Sequence, residues 1–366
     1  MIPIEREVLV GAEGDSLLIN RNGGLKMELL TGKPIITYMP MDAHITTILN
    51  GDWEKYKYYF SNFLQIHHNK RFVQYAYDVM WPEYKCFETY FLPRNVIGTN
   101  IVEITNAIKK IIENNFYIIT DVNTSIIKNY KFKEKNQPHE IMIKGWDPSS
   151  CSLICSDYFE SSYSSELCDS SEVSRAILSK EMRFRNRYNG VLLIRTKNDL
   201  KYGYNINKVI SRLDILLGEE NKEYSSGQSL ISSIDISKNN VMNLSIKNDG
   251  YIIRMGISFW KSFLDVVSII AGNIYNDYMD EETEELNIPY MESSMQECRD
   301  QIVISEKIIF KAIIAKKELN EQQKNSIRDS LTHLKKNLIK FLENMKKDFL
   351  KFEYFSKGTD SENAKI

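Results

Sequence analysis

The stretch His139-Glu140-Ile141-Met142-Ile143-Lys144-Gly145, then Trp146-Asp147-Pro148-Ser149-Ser150, then Cys151-Ser152-Leu153-Ile154-Cys155-Ser156-Asp157, reads as two apolar strands joined by a turn. Centring that turn on Pro148 makes paired positions sum to 296, which sets His139 directly opposite Asp157. Directly opposed residues share a face, with Cβ atoms about 4.5–5.5 Å apart. A carboxylate placed there would hold and orient an imidazole as the base of a catalytic triad is held. A slip of one residue would undo the pairing, and Asp147, in the turn, is a fallback partner. Geometry alone favours an ordinary surface His/Asp pair.

Working outward, the apolar residues Ile101, Ile104, Ala107, Ile108, Ile111 and Ile112 fall at helical spacing, and Phe116–Val122 follows as a buried strand. Further upstream, glycine breaks at 11–14 and 23–24 separate short apolar runs, and Pro34–Pro40 predicts a strand stopped by proline. Asp42 predicts an N-cap for a helix running from His44, with a second, aromatic helix over Trp53–Ile66. Downstream, Asp169 with Glu172 is a capping box opening a helix to Leu178, and Gly190–Arg195 is another strand. The expected class is therefore α+β over residues 1–200.

Residues 201–366 predict a mainly helical domain: a polar stretch, Glu219–Asn248, holding a short strand pair, then helices over Ile257–Asn276, Met291–Lys317 and Glu321–Phe355. In the last of these, Ile327, Leu331, Leu334, Leu338, Phe341 and Met345 recur every four and three residues, a seam for packing on a neighbouring helix.

Composition bounds the function. Forty-seven Lys and Arg against forty-nine Asp and Glu give a net charge of -2, without the basic excess of a general nucleic-acid binder. Five cysteines, an odd number spread thinly, do not form a disulfide framework and suit a reducing cytosol. No continuous apolar run reaches the roughly 18 residues of a membrane span, and Met1–Glu7 lacks the layout of a signal peptide. The expectation is a soluble, cytoplasmic protein.

Of the five histidines, His44 has no evident partner in sequence, His67 and His68 are adjacent near the expected end of a helix, and His333 lies among lysines. His139 is the candidate base. A nucleophile would suit the first turn of a helix, where backbone N–H groups depress a thiol's pKa and bind an oxyanion. That place is Asp42-Ala43-His44, and alanine offers none. The residues alone thus yield a base without its nucleophile.

The order of a helix start at Asp42-Ala43, a helix and strand ending in Asp121-Val122, a strand running from His139 to Asp147, and a strand ending in Asp157-Tyr158 resembles the butirosin biosynthesis protein H-like family. A helix over Ser170–Ile177 and a helical C-terminal region containing Met255–Trp260 extend the resemblance over most of the chain. It implies a papain-like N-terminal domain. It also implies that Ala43 stands where the family has its nucleophilic cysteine, with His139 as general base and Asp157 as its orienting acid. The alanine has two readings: a chain in which the cysteine was replaced, which is favoured, or a natural pseudoenzyme. Either way the sequence as printed should be inactive. Where many papain-like relatives place an oxyanion-hole Gln, this chain has Thr37. Thr37, Tyr38 and the backbone N–H of Ala43 are the candidate donors.

The resemblance further implies an ATP-independent acyltransferase or amide synthetase of natural-product biosynthesis, using no cofactor and no metal. It would move an acyl group from a carrier-protein thioester to a small amine, a diamine among the candidates, as in the amide synthetase of the closthioamide pathway. A cysteine peptidase or thioesterase, and a non-catalytic carrier-binding scaffold, are the alternatives. From Gln301 to Ile366 fourteen basic residues stand against nine acidic ones, so Lys335 and Lys336 are candidate contacts for an acidic carrier, against a solvated helix face. The acidic run Asp277–Glu285 reads as a solvated loop, lacking the glycine and spacing of an EF-hand.

Overall fold

The computed structural model describes residues 9–10, 16–19, 25–37, 39–49, 66–68, 73–75, 86–131, 138–160, 162–179, 190–197, 206–218, 230–278 and 288–363. The chain divides into two compact units, Met1–Asp52 with Pro82–Leu200, and Trp53–Trp81 with Lys201–Ile366. The protein is mixed α and β, with an antiparallel sheet and a mostly helical C-terminal region.

Numbered along the whole chain, the elements begin with β1 (Leu9–Val10), β2 (Ser16–Ile19), β3 (Leu25–Glu28) and α1 (Pro40–Leu49), and continue into a two-stranded hairpin of the second unit, β4 (Ile66–His68) and β5 (Val73–Tyr75). The first unit resumes with β6 (Phe87–Pro93), α2 (Ile101–Glu113), β7 (Tyr117–Asn123), β8 (Pro138–Asp147), β9 (Ser152–Asp157), β10 (Ser164–Asp169), α3 (Ser170–Leu178) and β11 (Gly190–Thr196). Its sheet runs β1-β2-β3-β8-β7-β11-β6, every pair antiparallel, with β9 on β8 and β10 on β9. Because β9 occupies one edge of β8, β7 and β3 share the other: β7 pairs residues 138–143 and β3 pairs Gly145 and Trp146.

Local sequence explains these elements. Asn100 caps α2 by accepting from the Glu103 N–H, and Ile104, Ile108 and Ile112 bury one face at a spacing of four. Asp169 caps α3 by accepting from the N–H groups of Ser171 and Glu172. The Glu172 carboxylate instead holds Lys128, through its backbone N–H at 3.0 Å and its ammonium at 2.8 Å. Asp147 closes the β8–β9 turn, accepting from the N–H and hydroxyl of Ser149 and the hydroxyl of Ser150.

Several expectations are corrected. Residues 29–37 form no strand, because Pro34 lacks an N–H and the Ile35 and Ile36 N–H groups turn to the Thr46 hydroxyl of α1. The helix begins at Pro40, a favoured first position, so Asp42 lies inside its first turn instead of capping it. His67 and His68 lie on β4, opposite Gln74 and Val73, and not at a helix end. The expected helix over Trp53–Ile66 lies outside the described residues apart from Ile66 in β4, and the acidic run Asp277–Glu285 lies almost wholly outside them.

The second unit continues with α4 (Ile206–Leu217), α5 (Leu230–Asn243), α6 (Ile246–Tyr278), α7 (Ile288–Ile314) and α8 (Glu321–Asn363). From residue 230 the expected strand pair is helix. Leu230, Ser233, Ile234, Ser237, Asn240 and Val241 are all buried at spacings of three and four, so small polar residues complete the inner face and mask its apolar period. The seam foreseen on the last helix is buried throughout, packing α8 on α4, α5 and α7. Trp260 and Phe263 of α6 are fully buried, and the Trp260 indole N–H donates to Ser237 at 2.8 Å. Residues 246–272 are long and apolar enough by length and composition for a membrane span, which the search for a continuous apolar run missed. Most of this apolar stretch is buried inside the protein, the environment of a core helix.

Candidate active site

The first unit brings His139, near the start of β8, to Asp157, at the end of β9. His139 Nδ1 lies 2.8 Å from Asp157 Oδ2 and 3.0 Å from the Glu140 carbonyl oxygen. Both partners are acceptors, so Nδ1 carries the proton and Nε2 is the nitrogen available for acid–base work. Asp157 is fully buried; its Oδ2 also accepts from the Tyr130 hydroxyl, and its Oδ1 has no hydrogen-bond partner among the described residues. Burial alone would lower the His139 pKa, but the hydrogen bond and charge of Asp157, with the Glu140 carbonyl and carboxylate, outweigh it and raise the value to about 9.

The register that achieves this differs from the expected one. Near the turn, Asp147 pairs with Ser152 and Gly145 with Ile154; past a bulge at Lys144, Ile143 pairs with Cys155 and Met142 with Ser156. Continued, that ladder sets Asp157 beside Ile141, two residues from His139 on the same face. The pair is diagonal, not directly opposed.

Position 43 lies on α1, which packs against β8, β9 and β11. Ala43 is fully buried, its N–H donates to the Met39 carbonyl at 3.0 Å, and its carbonyl accepts from the Thr47 hydroxyl at 2.6 Å. Because the helix starts at Pro40, this N–H closes the first helical hydrogen bond and is not an open oxyanion donor, correcting that candidate. The Thr37 carbonyl accepts from the Tyr158 hydroxyl at 2.7 Å, tying the segment before α1 to the end of β9; Tyr38 lies outside the described residues. Asp147, the fallback partner, serves the turn.

His44, given no partner by the sequence, belongs to this site. It is fully buried, and burial pushes its pKa down to about 4, further lowered by the His139 cation though raised by the Asp157 charge and the Glu140 carbonyl. Burial holds Tyr163 protonated, with a pKa well above its ordinary value, and its hydroxyl donates to His44 Nδ1 at 2.8 Å. The opposite nitrogen, Nε2, is buried without a well-formed hydrogen bond. One imidazole is thus kept neutral beside another kept charged. Carboxyl groups gather on the same strands: Glu140 directly opposes Asp121 of β7, and burial, then the Asp121 charge, lifts Glu140 to about 7.

In the second unit, Lys335 is held by Asp235 at 3.1 Å, whereas Lys336 is exposed. His333 contacts Asn337 at 2.7 Å. None of the five cysteines forms a disulfide, and Cys151 alone among them is exposed.

Sequence reasoning missed Tyr130, His44 and Tyr163. Tyr130 and Tyr163 lie outside the regular periodic segments, so no hydrophobic pattern marked them. For His44, adjacency to position 43 was the available signal. No protein-family model matches the chain, and no curated protein matches it.

Proposed function

We propose that this protein has the design of a cysteine-dependent, ATP-independent acyltransferase or amide synthetase in a papain-like N-terminal domain, with alanine at the nucleophile position. The observation that supports this reading above all is the His139–Asp157–Tyr130 chain, whose histidine and aspartate sit on strands packed against the helix bearing position 43.

With a cysteine at 43, the imidazolium favoured by Asp157 would stabilise the thiolate. The thiolate attacks the carbonyl carbon of an acyl thioester. As the carrier's sulfur departs, it takes the proton from His139 Nε2, leaving an acyl-enzyme thioester and a neutral imidazole. An amine then attacks, its proton passes to Nε2, the enzyme's C–S bond breaks, and amide and thiolate are released. One thioester replaces another in the first step, so no ATP is required.

The donor in this reading is a carrier-bound acyl thioester, the acceptor a small amine such as a diamine, and the setting the cytoplasm, in keeping with five cysteines outside any disulfide. Lys336 and its neighbours on α8 are the proposed carrier contacts.

The test is intact mass of the Ala43→Cys protein after exposure to a simple acyl thioester. An acyl adduct is expected, discharged as amide on adding amine and absent when His139→Ala is combined with it. A folded Ala43→Cys protein that takes no acyl group overturns the reading, and free acid formed regardless of amine marks a hydrolase.

A further inference from the structure

The β8–β9 ladder contains an arithmetic constraint. Next to the turn the paired positions sum to 299, as in Asp147 with Ser152 and Gly145 with Ile154. Had that register continued, Asp157 would lie opposite Met142, and three residues separate Met142 from His139. Because side chains alternate along a strand, Asp157 and His139 would point to opposite faces of the sheet. One extra residue in β8, Lys144, changes the sum to 298 and restores a common face.

Lys144 is held firmly in that bulge. Its side chain is only 6% exposed; its ammonium lies 2.9 Å from Glu28 Oε1 and donates to the Thr31 hydroxyl at 2.7 Å. Its carbonyl accepts from the Leu29 N–H at 2.9 Å, continuing the pairing of Glu28 with Gly145. Lys26 holds the same Glu28 carboxylate at 2.9 Å from its other oxygen. Beside it Gly145 is pressed between strands: an added Cβ would lie 2.5 Å from the Ile154 side chain and 2.6 Å from the Met27 carbonyl oxygen. A register without the bulge would carry the Lys144 ammonium away from both partners.

We infer that Lys144 is a positioning residue, whose clamp to Glu28 and Thr31 selects the bulged register and thereby places Asp157 on the face of His139. The inference rests on the His139–Asp157 contact and not on the acyl-transfer reading, so it can fail or stand independently of that reaction.

The experiment follows the imidazole resonances of the protein, with Ala43 unchanged, across pH in the parent and in Lys144→Met. The parent His139 should titrate near 9, and the variant's should fall toward the ordinary histidine value of about 6.5. A folded Lys144→Met protein whose His139 still titrates with the parent overturns the inference, because simple loss of packing would lower the melting temperature without moving that titration. If Lys144→Met does not fold, Glu28→Gln, which retains the ammonium and removes its charged partner, is read the same way: a downward shift of His139 supports the clamp, and an unchanged titration overturns it.

Discussion

The two units bury different chemistry. Among the described residues, the sheet unit buries Asp42, His44, Lys144, Asp147, Asp157 and Glu172, whereas the helical unit buries one charged side chain, Arg212. Among the described residues, the helical unit's other buried polar residues are serines and one asparagine, and the rest of its core is aliphatic, aromatic or sulfur-containing. Burying ionisable groups is costly unless they are paired. A unit that retains a His–Asp–Tyr chain, a neutral imidazole and a clamped lysine gives up stability that a purely apolar core would keep. That cost sets the sheet unit apart from the bundle, whose buried side chains serve mainly packing.

The largest expected effect tests the bundle. Trp260→Ala removes a fully buried indole and its bond to Ser237, and should destabilise by about 3–5 kcal/mol, read as a lower urea midpoint with unchanged slope. A loss below about 1 kcal/mol would mean that packing does not dominate there.

Next is the acid response of the sheet unit. His44 has a folded-state pKa of about 4 against an ordinary 6.5, so below pH 6.5 the unfolded chain takes up a proton that the native state refuses. Stability should therefore drain away as pH falls from 6.5 to 4, by about 3 kcal/mol from this residue. Glu140 acts in the opposite sense: raised to about 7 from 4.5, it contributes stability at low pH that is lost as pH rises through that interval. Comparing His44→Phe with the parent isolates the first effect, and the variant should lose less stability between pH 7 and pH 4.5. Equal losses would show that His44 is not held neutral.

The smallest effect is expected at the bundle surface. Lys335 pairs with Asp235 at 3.1 Å, with side chains 26% and 46% exposed, and Lys335→Ala should cost less than about 1 kcal/mol by thermal denaturation. A larger loss would place significant electrostatics in the bundle and weaken the contrast between the units.

Much of this was legible in the sequence. The cap of α3, the period of α2 and the strand after it, the hairpin and the α8 seam follow from short-range patterns, because capping and amphipathic periods depend on residues within a few positions of each other. Where the pattern was ambiguous the reading failed. Ser233, Ser237 and Asn240 concealed the inner face of α5, and the apolar Pro34–Pro40 run suggested a strand although its N–H groups find Thr46 instead. The candidate pair His139 and Asp157 was legible as residue types near the ends of a hairpin, but Tyr130 and Tyr163 were not, since nothing local distinguishes them from core aromatics.

The sequence by itself determined that β8 and β9 are strands, that a turn at Asp147–Ser150 joins them, and that a histidine and an aspartate lie near their far ends. Only the tertiary structure decided that the two share a face. Strand side chains alternate with period two, so a single inserted residue reverses the answer. Whether Lys144 is inserted depends on partners 113 and more positions away, at Thr31 and Glu28, which no reading of the hairpin alone could supply.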